Sequence, residues 1–247
     1  MRATRQTMGM PVTVEVVGAD DMALIDRVFA WFDTVDRRFS TYKADSEISR
    51  INRGAHPTGQ WSAEMREIIA LCDATRRESD GYFNARTPAG AVDPSGIVKG
   101  WAILGAARII DAAGQPNYFV DAGGDIQSSG VNGAGRPWRV GVRNPFNTSE
   151  IIKVVEPRGH GVATSGTYAR GQHIYIPGQP DGKIDDVVSL TVVGPDILEA
   201  DRFATAAFAM GRAGIGFIER IDGLEGYEVL ADRTAISTTG FETFCPS

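Results

Sequence analysis

Asp93, Lys99, Asp201 and Thr205 are the side chains in this sequence whose types and spacing could do chemistry. The run Asp93-Pro94-Ser95-Gly96-Ile97-Val98-Lys99-Gly100 opens a helix that continues through Trp101 to Ile110. A helix N-terminus carries free N–H groups and partial positive charge, so it attracts phosphates. A lysine one turn in adds a mobile positive charge for the same anion. The segment is therefore either a phosphate site or a capped helix start with a solvated lysine. Asp201 and Thr205 lie four apart, on one face of a helix that is otherwise small and apolar (Ala200, Phe203, Ala204, Ala206, Ala207, Phe208). A carboxylate buried in such a face needs a partner. A carboxylate and a hydroxyl together suit a hard cation such as Mg²⁺ better than zinc. The other reading is a solvent-facing Asp beside a Thr bonded to its own backbone.

Weaker signals accompany these. Gly161 to Tyr168 reads as a small-residue turn whose amides and the hydroxyls of Thr164 and Ser165 could approach a ligand closely. Gly123-Gly124-Asp125 at a strand end has similar character. His173, at the start of a strand, is either a general base or a structural imidazole.

The elements that must position these groups are read from periodicity. Val12 to Val16 alternates as a strand, and Leu24, Val28, Trp31, Phe32, Val35 and Phe39 recur at helical spacing from about residue 21 to 39. Short helices are expected at 45–52 and after the cap Ser62, and a long one after Asp93. Strands are expected at 118–120, 126–130, 138–142, 153–156, 172–176, 187–193, 227–230 and 235–238, with helices at 195–210 and 215–221. Helices gather in the first half and strands in the second, without βαβ alternation, which points to an α+β fold.

Composition narrows the function. Among 247 residues the net charge is −6, and no basic run exceeds a pair such as Arg37-Arg38, which argues against nucleic acid as a partner. Cys72 and Cys245 form no zinc pattern, and Cys72 reads as a buried thiol. No apolar run approaches a membrane span, and no signal core or lipidation cysteine precedes the first strand, so the expected compartment is the cytoplasm.

Taken in order, the segments resemble the FAD:protein FMN transferase (ApbE) family. The resemblance rests on Met8-Gly9-Met10, on Ser40 to Asn52 with its Ser46-Glu47-Ile48, on Asp93 to Gly100, on Val120 to Asp125, on Thr164-Ser165-Gly166 and on Ala200-Asp201…Thr205. It implies one α+β, T-fold-like domain over residues 1–247. It also implies Mg²⁺ held by Asp201, Thr205 and the Gly96 carbonyl, and FAD contacted by Met8, Tyr42, Asn84, Asp93, Lys99, Thr164 and Ser165. Lys99 and His173 become the catalytic groups. The implied partner is an acceptor protein whose Ser or Thr hydroxyl attacks the FMN phosphorus, releasing AMP. Three features depart from the family pattern. Asn84 replaces an Asp, the connection from Arg86-Thr87-Pro88 to Asp93 is short, and Ile176 stands where an acid follows His173. These departures leave open FAD storage or sensing without transfer, and FAD hydrolysis to FMN and AMP.

Overall fold

A computed structural model describes residues 1–19, 22–166 and 184–246. Ten strands and six helices are described: β1 (Arg2–Thr7), β2 (Met10–Val16), α1 (Met22–Phe39), α2 (Glu47–Asn52), α3 (Ala63–Glu78), α4 (Ser95–Ala112), β3 (Tyr118–Ala122), β4 (Asp125–Ser129), β5 (Val140–Asn144), β6 (Asn147–Val155), β7 (Gly161–Gly166), β8 (Val187–Gly194), α5 (Ile197–Ala209), α6 (Gly214–Ile218), β9 (Glu225–Leu230) and β10 (Ala235–Ser237).

Eight strands form one sheet in the order β1-β2-β3-β4-β7-β8-β9-β10, and β5 pairs with β6 in a separate ribbon. Every pairing is antiparallel. Val12, Val14 and Val16 alternate inward on β2 and join Val120, Ala163, Leu190 and Val192 in a core shared with α1, α4 and α5. Ile126, Val162 and Val193 pair across adjacent strands and join Val140, Val155 and Phe241 in a second, smaller core. The central strands are thus covered on both faces, which explains why β8 is buried along nearly its whole length, Ser189 and Thr191 included.

Helix α4 is the pivot. Ten of its residues are buried, on several faces, because it packs against α1, α3, α5 and the sheet at once. Trp31 of α1 donates its indole N–H to the Ala102 carbonyl at 2.8 Å and packs against Trp101.

The α+β expectation holds. Several boundaries differ, for physical reasons. Strand β1 carried no apolar alternation because it is an exposed sheet edge. Gly161 to Gly166 is a strand between β4 and β8, not a turn, so tertiary pairing overrides its small-residue composition. Helix α5 begins at Ile197, with the Asp196 carboxylate accepting from the Glu199 amide at 3.0 Å, so Pro195 precedes the cap instead of filling the first turn. Helix α6 ends at Ile218, short of the expected 221. Strand β5 starts two residues beyond Trp138, and β6 begins at Asn147, well before Lys153. The strand expected at 172–176 lies outside the described residues.

Candidate functional site

Helices α4 and α5 cross with small residues between them. A Cβ on Gly100 would stand 2.9 Å from the Asp201 Cβ and 2.9 Å from the Ile197 carbonyl oxygen, and one on Gly96 would stand 3.2 Å from the Thr205 Cγ2. The two helices therefore run antiparallel here, Gly96 facing Thr205 and Gly100 facing Asp201. Glycine at 100 permits so close an approach of the two helices, and at 96 a side chain would meet the Phe83 ring at 2.9 Å as well as Thr205. The i,i+4 spacing of Gly96/Gly100 matches that of Asp201/Thr205 on the facing helix.

Asp201 is buried, and its Oδ2 accepts the Gly100 N–H at 2.7 Å. Ideal helix geometry would direct that N–H to the Gly96 carbonyl. A carbonyl oxygen has two lone pairs, so the Gly96 oxygen keeps acceptor capacity even when that helical bond is made. Lys99 reaches from the same turn to two acids, pairing closely with Asp125 Oδ2 and lying 3.3 Å from Asp201 Oδ1. Burial pushes the Asp201 carboxyl well above the usual range; the Lys99 ammonium pulls it back and Asp125 pushes it up again.

Asp125 opens β4, after the tight Gly123-Gly124 turn. Its Oδ1 accepts the Thr164 amide of β7 at 3.0 Å. Thr164 Oγ1 in turn lies 2.9 Å from Thr191 Oγ1 on β8. Ser165 is buried next to it. Arg202, the neighbour of Asp201, points elsewhere: it bonds Thr75 at 3.1 Å and Glu199 at 2.7 Å and pairs with Glu78, fastening α5 to α3.

The fold thus gathers Gly96, Lys99, Asp201 and Thr205 at one helix crossing, with Thr164 linked through Asp125. Asp93 lies two residues before the same helix, where its carboxylate accepts the Ser95 amide at 3.0 Å. Met8 sits in the two-residue β1–β2 turn with φ 53°, followed by Gly9 at φ 74°. That turn lies at the same sheet end as Gly123, whose amide reaches the Pro11 carbonyl at 3.3 Å. Tyr42 is 99% exposed and meets nothing in the described fold. Asn84 is exposed and turns back to accept the Arg86 amide at 3.0 Å. His173 lies outside the described residues. Sequence reasoning missed the role of Asp125. Only its place after Gly123-Gly124 marked it, and nothing in that pattern reveals a lysine from another element.

The short connection is itself ordered. Thr87 N–H bonds the Ala91 carbonyl, Asp93 N–H the Ala85 carbonyl, and the Asn52 amide clasps both backbone groups of Val92 at 2.8 and 2.9 Å.

Asp201 and Thr205 of α5 face Gly100 and Gly96 of α4 at one crossing; a carboxylate, a hydroxyl and a carbonyl are donor types that suit a hard divalent cation. No group of three or more His, Cys, Asp or Glu side chains that could hold a metal ion occurs among the described residues. No described helix is long and apolar enough to cross a membrane.

The profile of the ApbE family matches residues 8–90 and 85–228, in two pieces that meet at the short connection. The FAD:protein FMN transferase of Klebsiella pneumoniae is 28% identical over 298 aligned residues, covering 94% of this chain and 85% of the relative. That of Salmonella typhimurium is 30% identical over 310, covering 98% and 88%. Both alignments run longer than the chain, so these relatives carry segments it lacks. Among solved structures, the flavin transferase ApbE of Vibrio cholerae superposes with a TM-score of 0.86 at 23% identity, covering 99% of this chain and 98% of that one. The ApbE protein of Thermotoga maritima gives 0.85 at 20% identity, covering 100% and 99%. With the family profile spanning most of its length and the fold shared throughout, the chain belongs to the ApbE family.

Proposed function

We propose that this chain is a Mg²⁺-dependent FAD:protein FMN transferase, moving FMN from FAD to a Ser or Thr hydroxyl of an acceptor protein with release of AMP. The observation that carries the reading is the Asp201–Gly100 contact in a member of this family, with Thr205 and Gly96 one turn along the same crossing. Asp201, Thr205 and the Gly96 carbonyl would hold the metal, which supplies charge neutralisation at a pyrophosphate. Phosphoryl transfer needs positioning and electrostatic stabilisation more than covalent help.

The residues of this chain supply both. The positive end of the α4 dipole and the Lys99 ammonium offer positive potential to a phosphate. The Thr164-Ser165 strand, Met8 and Asp93 line the approach to FAD in this reading, with Tyr42 and Asn84 at its outer part. His173 takes the proton of the attacking hydroxyl.

Incubation with FAD and Mg²⁺, with and without a candidate acceptor, tests the proposal when AMP and protein-bound flavin are followed together. Transfer gives both in equal amounts. AMP without labelled protein identifies a hydrolase, and retained FAD without AMP identifies a binding protein. Asp201→Ala should lower labelling by at least ~100-fold, the scale of losing a group that stabilises transition-state charge. Its unfolding temperature should stay within a few degrees of the parent.

A further inference from the structure

The corner where α4, β4 and α5 meet holds two buried carboxylates and one ammonium. The side chains of Asp125 and Asp201 are 3% and 2% exposed, and that of Lys99 is 21% exposed. Each carboxylate is pinned by a backbone amide from another element: Asp125 Oδ1 by Thr164, Asp201 Oδ2 by Gly100. Each then presents its remaining oxygen to the same lysine. The ammonium leans toward Asp125, its closer partner, and stands off at 3.3 Å from Asp201. Two buried anions against one cation leave an excess of negative charge, and unpaired buried charge is costly. The asymmetry leaves Asp201 the less committed of the two acids.

We propose that Lys99 is the resident cation of this corner and that Asp125 is its anchor. Asp125 holds the ammonium so that Asp201 is neutralised before a divalent cation arrives and can be ceded when it does. The proposal rests on the assignment of Asp201 to the metal. Asp125 is a positioning residue, acting on the metal through Lys99. Without Asp125, the lysine would settle fully on Asp201 and compete with the metal for it.

The test uses the full chain, stripped of metal and free of FAD, with Mg²⁺ as the only added ligand. Metal-free Lys99→Met should unfold about 10 °C below the parent, as expected when a buried ion pair loses one partner. Saturating Mg²⁺ should restore most of that loss, and Lys99→Arg should show little of it. Recovery of Lys99→Met only from Mg²⁺-containing buffer counts as the same result. Asp125→Asn, which keeps the acceptor for the Thr164 amide, should raise the Mg²⁺ Kd by about tenfold, and this penalty should shrink severalfold when Lys99→Met is added. Metal-free Lys99→Met unfolding with the parent would overturn the proposal. So would an Asp125→Asn penalty that is undiminished in the double variant, because Asp125 would then act on the metal directly. If flavin transfer fails while these shifts appear, the transferase reading falls and the resident cation stands. If Mg²⁺-dependent labelling occurs with none of these shifts, the reverse holds.

Discussion

At the scale of single residues, Met8 carries an informative conflict. A two-residue hairpin turn with positive φ at both positions favours Asn or Gly first. Met8 holds that place at φ 53°, at a local cost of about 1 kcal/mol or more. Its side chain packs only partly against the core. A side chain kept against backbone preference and left half open fits a role in ligand contact. Met8→Asn should therefore raise stability by roughly 1 kcal/mol in chemical denaturation. The same change should weaken FAD binding, measured by flavin fluorescence, and unchanged affinity would remove Met8 from the site. Asp201 and Thr205 were legible in the sequence because their spacing put two oxygen donors on an apolar helix face. Asp125 was not, because its partner Lys99 comes from a helix that periodicity cannot orient relative to β4.

Among elements, the α4–α5 crossing decides whether the site exists. Gly100 is the point of closest approach, and a methyl group there would press on the Asp201 Cβ and the Ile197 carbonyl. Neither can retreat easily, since one belongs to the site and the other to backbone. Gly100→Ala should cost about 1–3 kcal/mol of stability, as overpacking does. It should also weaken Mg²⁺ binding through the displaced Gly100 N–H···Asp201 bond. Denaturation midpoints and calorimetric Mg²⁺ titration on the same preparation check both, and a loss of stability alone would separate the crossing from the metal. The helices themselves were readable from their caps and periodicity: Ser46 and Ser62 accept from Ser49 and Met65 as their positions suggest. The strand Gly161 to Gly166 was not, since Gly, Ala, Thr and Ser there gain strand structure only from β4 and β8 on either side.

For the whole molecule, the two-sided sheet buries acids as well as apolar groups. Glu228 on β9 lies between Leu190 and Ile236 and is fully buried. Burial pushes its carboxyl up to about 7, helped by Asp186, while Arg212 and the Ile215 amide pull the other way. The folded state then holds a proton that the unfolded chain, near the ordinary value of 4.5, has released. Stability from this group is present below about pH 4.5 and declines as pH rises toward about 7, by roughly 3 kcal/mol. Glu228→Gln should flatten that part of the stability–pH curve, and an unchanged slope in urea melts at pH 5 and pH 8 would assign it to other groups. The bond between the Gly100 amide and Asp201 spans 101 residues of chain. Such a contact closes a long loop, at an entropic cost that the packing of the strands between must offset. A nascent or truncated chain ending before α5 lacks this half of the crossing, however much helix it has formed. Competence for the ligand at this crossing thus needs both halves of the chain, and a truncated form ending before α5 would hold neither flavin nor metal there.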